Sequence, residues 1–333
     1  MSTVTRALDV GVVAVTLLVA AVLVAFSERE ATRVRPVHQV SASSLTLTAA
    51  SATPRCYGAA SMTRKRCHNP ALVGRLTPST SQAQRDQTRT PGKQCYRRGT
   101  SQTTMNRGCS FGTRAKGRPH VILVGDSHAR VLLTSFITLA GQGRISLEAQ
   151  VRAGCSWVRS GLTHRDKSRI KSCREYRRNL HRWLLSRAST TDVIVTTGYA
   201  RQVAGSRSKQ IERMRDTWRP LIKRGVRIVG VSDNPRLSRD PQRCLKKYGA
   251  RKGARKCGVS FKEGTVRDPF IEGAKAVKGA TALDLRLYFC RKGFCPAVIG
   301  GVNVYRDITH VTRTYATTLT PFIAARLKGA GVL

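Results

Sequence analysis

Acidic residues are scarce in this chain: 18 Asp and Glu stand against 60 Lys and Arg, giving a net charge of +42 over 333 residues. Such an imbalance favours polyanionic partners, whether nucleic acid, anionic envelope polymers or lipid headgroups. Aromatic residues are also few, at 6%. No aromatic-basic recognition motif accompanies the charge, which counts against nucleic acid. None of the ten cysteines forms a C-x-x-C pair, which argues against zinc ribbons and thioredoxin-like redox chemistry. No metal or cofactor is expected, and there is no clear internal repeat. What is present is a hydrophobic share of 41%, enough for the core of one domain of about 200 residues plus attachments.

One long stretch lacks charge altogether. Val10 to Phe26 is uncharged and almost wholly apolar, and follows a short segment containing Arg6. Residues 1–27 therefore read as a signal peptide or a single transmembrane anchor, placing the chain at the cell membrane with an extracytoplasmic domain, or outside the cell if cleaved. The cysteines support export. After the apolar run they fall close together in sequence, and local pairing gives Cys155–Cys173, Cys244–Cys257 and Cys290–Cys295 as disulfides suited to an oxidising compartment. The pairing of Cys56, Cys67, Cys95 and Cys109 stays open.

Residues 28–54 are rich in Ser, Thr, Ala and Val and read as a flexible tether. Residues 55–118 are basic and poor in large apolar side chains, and read as an irregular Cys-containing extension. From Pro119 the texture changes. Strands are expected at Val121 to Val124, Ile145 to Val151, Val193 to Thr197, Val226 to Val231 and Thr281 to Leu287. Helices are expected at Ala129 to Leu139, Ser168 to Ala188, Ser208 to Arg224 and Thr312 to Leu327. Strands alternating with helices predict a three-layer α/β/α domain over 119–333, around a mainly parallel sheet of about five strands.

In such sheets, sites form at the carboxyl ends of the strands. The first strand ends in Gly125-Asp126-Ser127-His128, a turn that leads directly into a helix. A serine held there lies beside unpaired helical N–H groups that favour negative charge, as acyl transfer through serine requires. On the turn alone, a simple N-cap at Asp126 or Ser127 is an equal reading. Of the seven histidines, His68 lies in the extension, His120 starts a strand at the wrong end, His164 is in a loop and His181 is on a basic helix. His310 differs. It stands three residues after Asp307, so one turn of backbone can present both on one side, with the carboxylate orienting the imidazole toward Ser127.

Gly125-Asp126-Ser127-His128 together with Tyr305-Arg306-Asp307-Ile308-Thr309-His310-Val311-Thr312 resembles the SGNH (GDSL-like) hydrolase superfamily. It is closer still to the SGNH domain fused to acyltransferase-3 type bacterial envelope O-acetyltransferases, and Cys290 and Cys295 resemble a cysteine pair often seen there. The resemblance covers about residues 119–330. It implies Ser127 as nucleophile, His310 as base and Asp307 as its orienter. It also implies an oxyanion hole built from the Ser127 N–H, a glycine N–H and an asparagine side chain. The third strand is followed by Gly198-Tyr199-Ala200-Arg201 with no asparagine. Gly154 is the candidate for the glycine donor, with the Gly198 backbone and Asn234 as substitutes. His128 reads as a helix-start or supporting histidine, and Arg130 and Arg201 are candidates for meeting an anionic substrate.

The expectation is an exported serine acyl-ester hydrolase or O-acyltransferase acting on an anionic envelope polymer or acylated glycan. As a transferase it would need a membrane acyl-donor protein as partner. The alternative is a catalytically weak or inactive SGNH-like cationic envelope-binding module, which the missing asparagine favours and the intact serine, aspartate and histidine do not.

Overall fold

Four β-branched or aliphatic residues, Val121 to Val124, set the centre of the fold by being apolar on both sides of one strand. The strand is β2, His120–Gly125, and every residue in it is buried. Val121 and Leu123 enter one core; Ile122 and Val124 enter another on the opposite face. A strand apolar on both faces needs a cover on each.

The computed structural model describes residues 53–63, 67–90, 95–96, 102–159, 161, 163 and 166–333. Residues 53–333 fall in one compact unit. Its main elements are β1 (Ser110–Phe111), β2, α1 (Ser127–Gly141), β3 (Ser146–Val151), α2 (Lys167–Ser186), β4 (Val193–Thr197), α3 (Arg207–Ile222) and β5 (Arg227–Val231). They are followed by α4 (Pro241–Lys256), α5 (Pro269–Ala276), β6 (Ala280–Leu283), α6 (Arg313–Thr318) and α7 (Thr320–Gly329).

The strands form a six-stranded sheet in the order β1-β3-β2-β4-β5-β6. Only the two-residue β1 runs antiparallel, pairing with β3 at the edge; the other pairs are parallel. Counted by appearance, the parallel strands run 2-1-3-4-5. That is the doubly wound order, whose switch point lies between the first and third of them, here β2 and β4. Leu133, Phe136, Ile323 and Leu327 from α1 and α7 cover one face. Tyr176, Leu180, Met214, Trp218 and Phe270 from α2, α3 and α5 cover the other. The apolar stripes of α2 and α3 are thus core.

Several expectations need correction. The fifth parallel strand stops at Leu283 rather than Leu287, because Asp284 accepts the Arg286 N–H and starts a 3-10 turn, Arg286–Tyr288. The closing helix is two helices, with Pro321 in the first turn of α7, where its missing N–H costs nothing. Between β5 and β6, where no helix is expected above, α4 runs from Pro241 to Lys256 with a kink at Gly249.

The expected N-terminal membrane segment is also corrected. Among the described residues no helix is long and apolar enough to cross a membrane. The most buried helix, α1, has 15 residues and carries Arg130, whereas a span needs about 20 apolar residues. Residues 1–27, on which the anchor rested, lie outside the described residues, as does the tether up to Ala52. The cell-membrane localisation rested on that segment alone and finds no support among the described residues.

The described residues hold five disulfides: Cys56–Cys67, Cys95–Cys109, Cys155–Cys173, Cys244–Cys257 and Cys290–Cys295. The residues ahead of β1 pack onto the sheet domain. The Ala59 N–H donates to Thr318 Oγ1 at 3.0 Å, and the Thr88 hydroxyl donates to the Arg130 carbonyl at 2.7 Å.

Candidate active site

The turn after β2 is built around Gly125. Its φ is 149°, and a Cβ there would lie 2.1 Å from the Thr197 carbonyl oxygen, so glycine alone lets β2 and β4 close at their carboxyl ends. Asp126 is the cap of α1: one carboxylate oxygen accepts the His128 N–H at 2.8 Å and the other accepts the Tyr199 N–H at 2.8 Å. With capping done by Asp126, the Ser127 hydroxyl is left for another partner. That partner is His310, whose Nε2 lies 2.9 Å from Ser127 Oγ.

His310 reaches the serine from a tight turn on the other side of the switch point. Asp307 Oδ1 accepts the backbone N–H groups of Thr309 and His310 at 2.9 and 2.8 Å, which folds the chain back on itself. Both carboxylate oxygens of Asp307 then lie 3.0 Å from His310 Nδ1. This network assigns the imidazole proton to Nδ1 and leaves the Nε2 lone pair to receive the Ser127 hydroxyl. Burial alone would raise the Asp307 carboxyl. The hydrogen bond and charge of His310, with the two backbone donors, instead hold it well below the usual carboxylate range. Ser127, His310 and Asp307 are thus brought together as a hydrogen-bonded chain.

The segment after β5 clamps this turn. Asn234 Nδ2 donates to the Thr309 carbonyl at 2.7 Å and to the Pro235 carbonyl at 3.1 Å, and the Leu237 N–H donates to the Ile308 carbonyl at 2.8 Å. Both amide hydrogens of Asn234 are therefore spent on carbonyls, and its expected place as an oxyanion donor is corrected: it holds the histidine turn. Arg201 donates to the Glu263 and Thr265 carbonyls.

The remaining oxyanion candidates lie at the correct end of the sheet. The Ser127 N–H is in the first turn of α1, where helical donors lack intrahelical partners. Gly154 follows β3 with φ of 57°. Gly198 follows β4, packed so closely that a Cβ would sit 2.5 Å from Ser156 Cβ and 2.9 Å from Asp126 Oδ2.

Sequence reasoning missed a second imidazole–carboxylate pair beside the first. His128 is buried, with its Nδ1 2.6 Å from Asp233 Oδ1. Its ring stacks on Tyr199 and stands 4.8 Å, centroid to centroid, from the ring of His310. Burial disfavours the His128 cation, but Asp233, and more weakly Asp126 and Asp307, outweigh that and raise its pKa to about 9. Asp233 is fixed in turn by the Ala200 and Asn234 N–H groups at 3.0 and 2.8 Å, and its own N–H donates to Asp268. Burial, and then the charge of Asp233, push Asp268 up to about 7. The available signal was position, since Asp233 stands just past the carboxyl end of β5. Among the described residues no group of His, Cys, Asp and Glu is placed to hold a metal ion.

The family described as SGNH domain (fused to AT3 domains) matches residues 94–325. No curated protein matches the chain at significant similarity. Among solved structures, the periplasmic domain of a lipopolysaccharide acetyltransferase from Salmonella ser. Paratyphi A is similar, with a TM-score of 0.52 and 12% identity. That likeness covers 66% of this chain and 92% of that one. A protein from Bacteroides fragilis NCTC 9343 assigned as an acylhydrolase matches more loosely, with a TM-score of 0.38 and 9% identity over 66% of this chain and 91% of that one. The sheet order, the two end motifs and the family match over most of the chain agree: this chain belongs to the SGNH domain family of the kind fused to AT3 domains.

Proposed function

We propose that the chain is a serine acyl-ester hydrolase or O-acyltransferase that acts on an acylated cell-envelope polymer, with Ser127 as nucleophile, His310 as general base and Asp307 as the group that orients it. The observation that carries this reading is the 2.9 Å contact from Ser127 Oγ to His310 Nε2, backed by the carboxylate at 3.0 Å from Nδ1. Ser127 Oγ attacks the ester carbonyl as His310 Nε2 takes its proton. The tetrahedral intermediate collapses, the ester C–O bond breaks, and His310 returns the proton to the departing alcohol. Water or an acceptor hydroxyl then gives its proton to His310 and attacks the acyl-serine, which frees Ser127. The developing oxyanion would be met by the Ser127 N–H and a donor from Gly154 or Gly198.

The envelope assignment draws on the similar Salmonella domain, whose printed name gives lipopolysaccharide and the periplasm. Five disulfides in the described residues support an oxidising compartment. One observation favours the second reading, a weak or inactive binding module: the Asn234 amide is committed to the Thr309 and Pro235 carbonyls. Treating the folded protein and Ser127→Ala with a serine-reactive phosphonate and a simple acetyl ester decides between them. The enzyme reading expects labelling and turnover that both vanish in Ser127→Ala; a folded native protein that shows neither is the binding module.

A further inference from the structure

On the sheet face covered by α2 and α3, a cleft of about 940 Å³ lies between the two helices. Both helices start from the carboxyl ends of their strands, β3 and β4, so the cleft runs from the catalytic end of the sheet down this face. The described residues that line it include seven Lys and Arg against two Asp and Glu, a net charge of +5. Arg174, Arg178 and Arg182 are spaced four apart on α2 and form one exposed row, each step about 6 Å along the helix. Among the described residues the guanidinium groups of Arg174 and Arg178 make no hydrogen bond or ion pair, and Arg182 donates to Asn179 Oδ1 at 2.8 Å. The carboxylates stand on the α3 wall, where Lys209 already binds Glu212 at 2.8 Å. His181, in the same lining, feels the excess: burial first, and then the charges of Arg159 and Arg224, lower its imidazole pKa. The inner end of the cleft leads toward Ser127. Arg177 Nε donates to the Ser156 carbonyl at 2.7 Å, and Ser156 is the residue packed against Gly198.

We infer that the cleft between α2 and α3 binds an acidic glycan, a polymer with phosphate or carboxylate groups repeated along a sugar or polyol backbone, and that Arg174, Arg178 and Arg182 take successive anions. Each guanidinium fork can pair with two oxygens of such a group. A cleft lined mainly by one sign of charge concentrates its field on the opposite sign. A row of cations suits charges repeated along one chain, because once the first anion is held the next binds at high effective concentration. Nucleic acid fits less well. Single strands are held by bases stacked on aromatic rings, and the one Phe, Tyr or Trp among the described lining residues, Trp157, is only 1% exposed and offers no face. The site is separate from the Ser127–His310–Asp307 chain, so the inference stands whether or not Ser127 turns over an ester. Where Ser127 acts on such a polymer, the cleft holds the stretch away from the reacting ester.

Calorimetry on the folded native protein, with polymers that carry no acyl group, tests this without any turnover. Oligogalacturonate supplies repeated carboxylates, a glycerol phosphate oligomer repeated phosphates, an oligodextran no charge, and single-stranded DNA of equal charge the competing class. At least one acidic oligomer is expected to bind about tenfold or more tightly than dextran and DNA, and the tighter of the two identifies the anion. Arg174→Gln combined with Arg178→Gln should weaken that binding by about tenfold or more, and the corresponding pair of Lys substitutions should keep part of it. Lys246→Gln combined with Lys252→Gln, two exposed charges on α4, should change it by less than about twofold. Both Gln pairs remove two charges from exposed helical positions, so equal falls mean that bulk positive charge binds the polymer and overturn the inference. Binding of DNA as tightly as the better acidic oligomer, binding of galacturonate monomer as tightly as its oligomer, or binding of neither acidic oligomer overturns it as well.

Discussion

His128 and Asp233 face each other across the switch point of the sheet at 2.6 Å, one from the first turn of α1 and the other from the end of β5. Because His128 titrates near 9 in the folded chain and near 6.5 when unfolded, the folded state binds its proton more tightly. That contribution to stability is complete below the unfolded value and is lost as pH rises through about 9. Asp268, pushed up to about 7, has the same sign: it favours folding at low pH and loses that advantage as pH rises from about 4 through 7. Thermal melting of the native protein should therefore fall between pH 6.5 and 9. Asp233→Asn should flatten this slope, because it removes the charge that raises both groups. A variant that keeps the native slope would show that the pair carries no linkage.

The three residues of the hydrogen-bonded chain should not be equally costly to lose. Ser127→Ala and His310→Gln remove the nucleophile and the base and should abolish ester turnover. Asp307→Asn keeps the turn partly formed but loses the charge behind Nδ1, and is expected to reduce kcat by about 10- to 1000-fold. The lower figure is reasonable here because the Asp307 side chain is 43% exposed, so water can substitute for part of its interaction. Steady-state rates on a simple acetyl ester, with each variant checked by its melting profile, measure this ordering. Equal rates in Asp307→Asn and native protein would remove Asp307 from the mechanism.

Much of this arrangement was legible in the sequence because it follows from local chemistry. Val121 to Val124 could only be a strand covered on both faces, and Gly125-Asp126-Ser127 had to turn there. Asp307 and His310 are close in sequence, so their pairing needs only one turn of backbone. What was hidden depends on contacts between distant segments. Asn234 reads in the sequence as a substitute oxyanion donor, but its amide goes to the Thr309 carbonyl, 75 residues away. The His128–Asp233 pair spans 105 residues, and no periodicity reports such a distance. The edge strand Ser110–Phe111 is too short to leave a pattern, and it exists because β3 offers it an open side.

Asn234 yields a prediction that distinguishes holding the histidine turn from donating to an oxyanion. Asn234→Ala loses two side-chain hydrogen bonds, at about 1 kcal/mol each, and leaves the Thr309 carbonyl without its donor. The melting temperature should fall and turnover should drop through a less ordered His310. Second-site tightening of the turn would then restore rate, whereas a lost oxyanion donor would not be rescued. The measurement is hydrogen exchange at residues 307–310 alongside kcat. Faster exchange with lower kcat is expected, and unchanged exchange with a large fall in kcat would return Asn234 to the oxyanion hole.

Glycine substitutions test whether the sheet must close as tightly as the site requires. At Gly125 an added Cβ would meet the Thr197 carbonyl oxygen at 2.1 Å and Ala129 Cβ at 2.7 Å. Both neighbours belong to packed backbone elements, β4 and α1, so neither can swing aside as a flexible side chain would. Gly125→Ala is therefore expected to cost several kcal/mol or to prevent folding. Gly141, at the end of α1, meets nothing within 4 Å. There alanine should be neutral or stabilising by about 0.5–1 kcal/mol, through better helix propensity and a less flexible unfolded chain. Denaturant melts of the two variants give the contrast directly. A Gly125→Ala protein as stable as native would mean that β2 and β4 can separate at their carboxyl ends, and that Ser127 is not held where His310 can reach it.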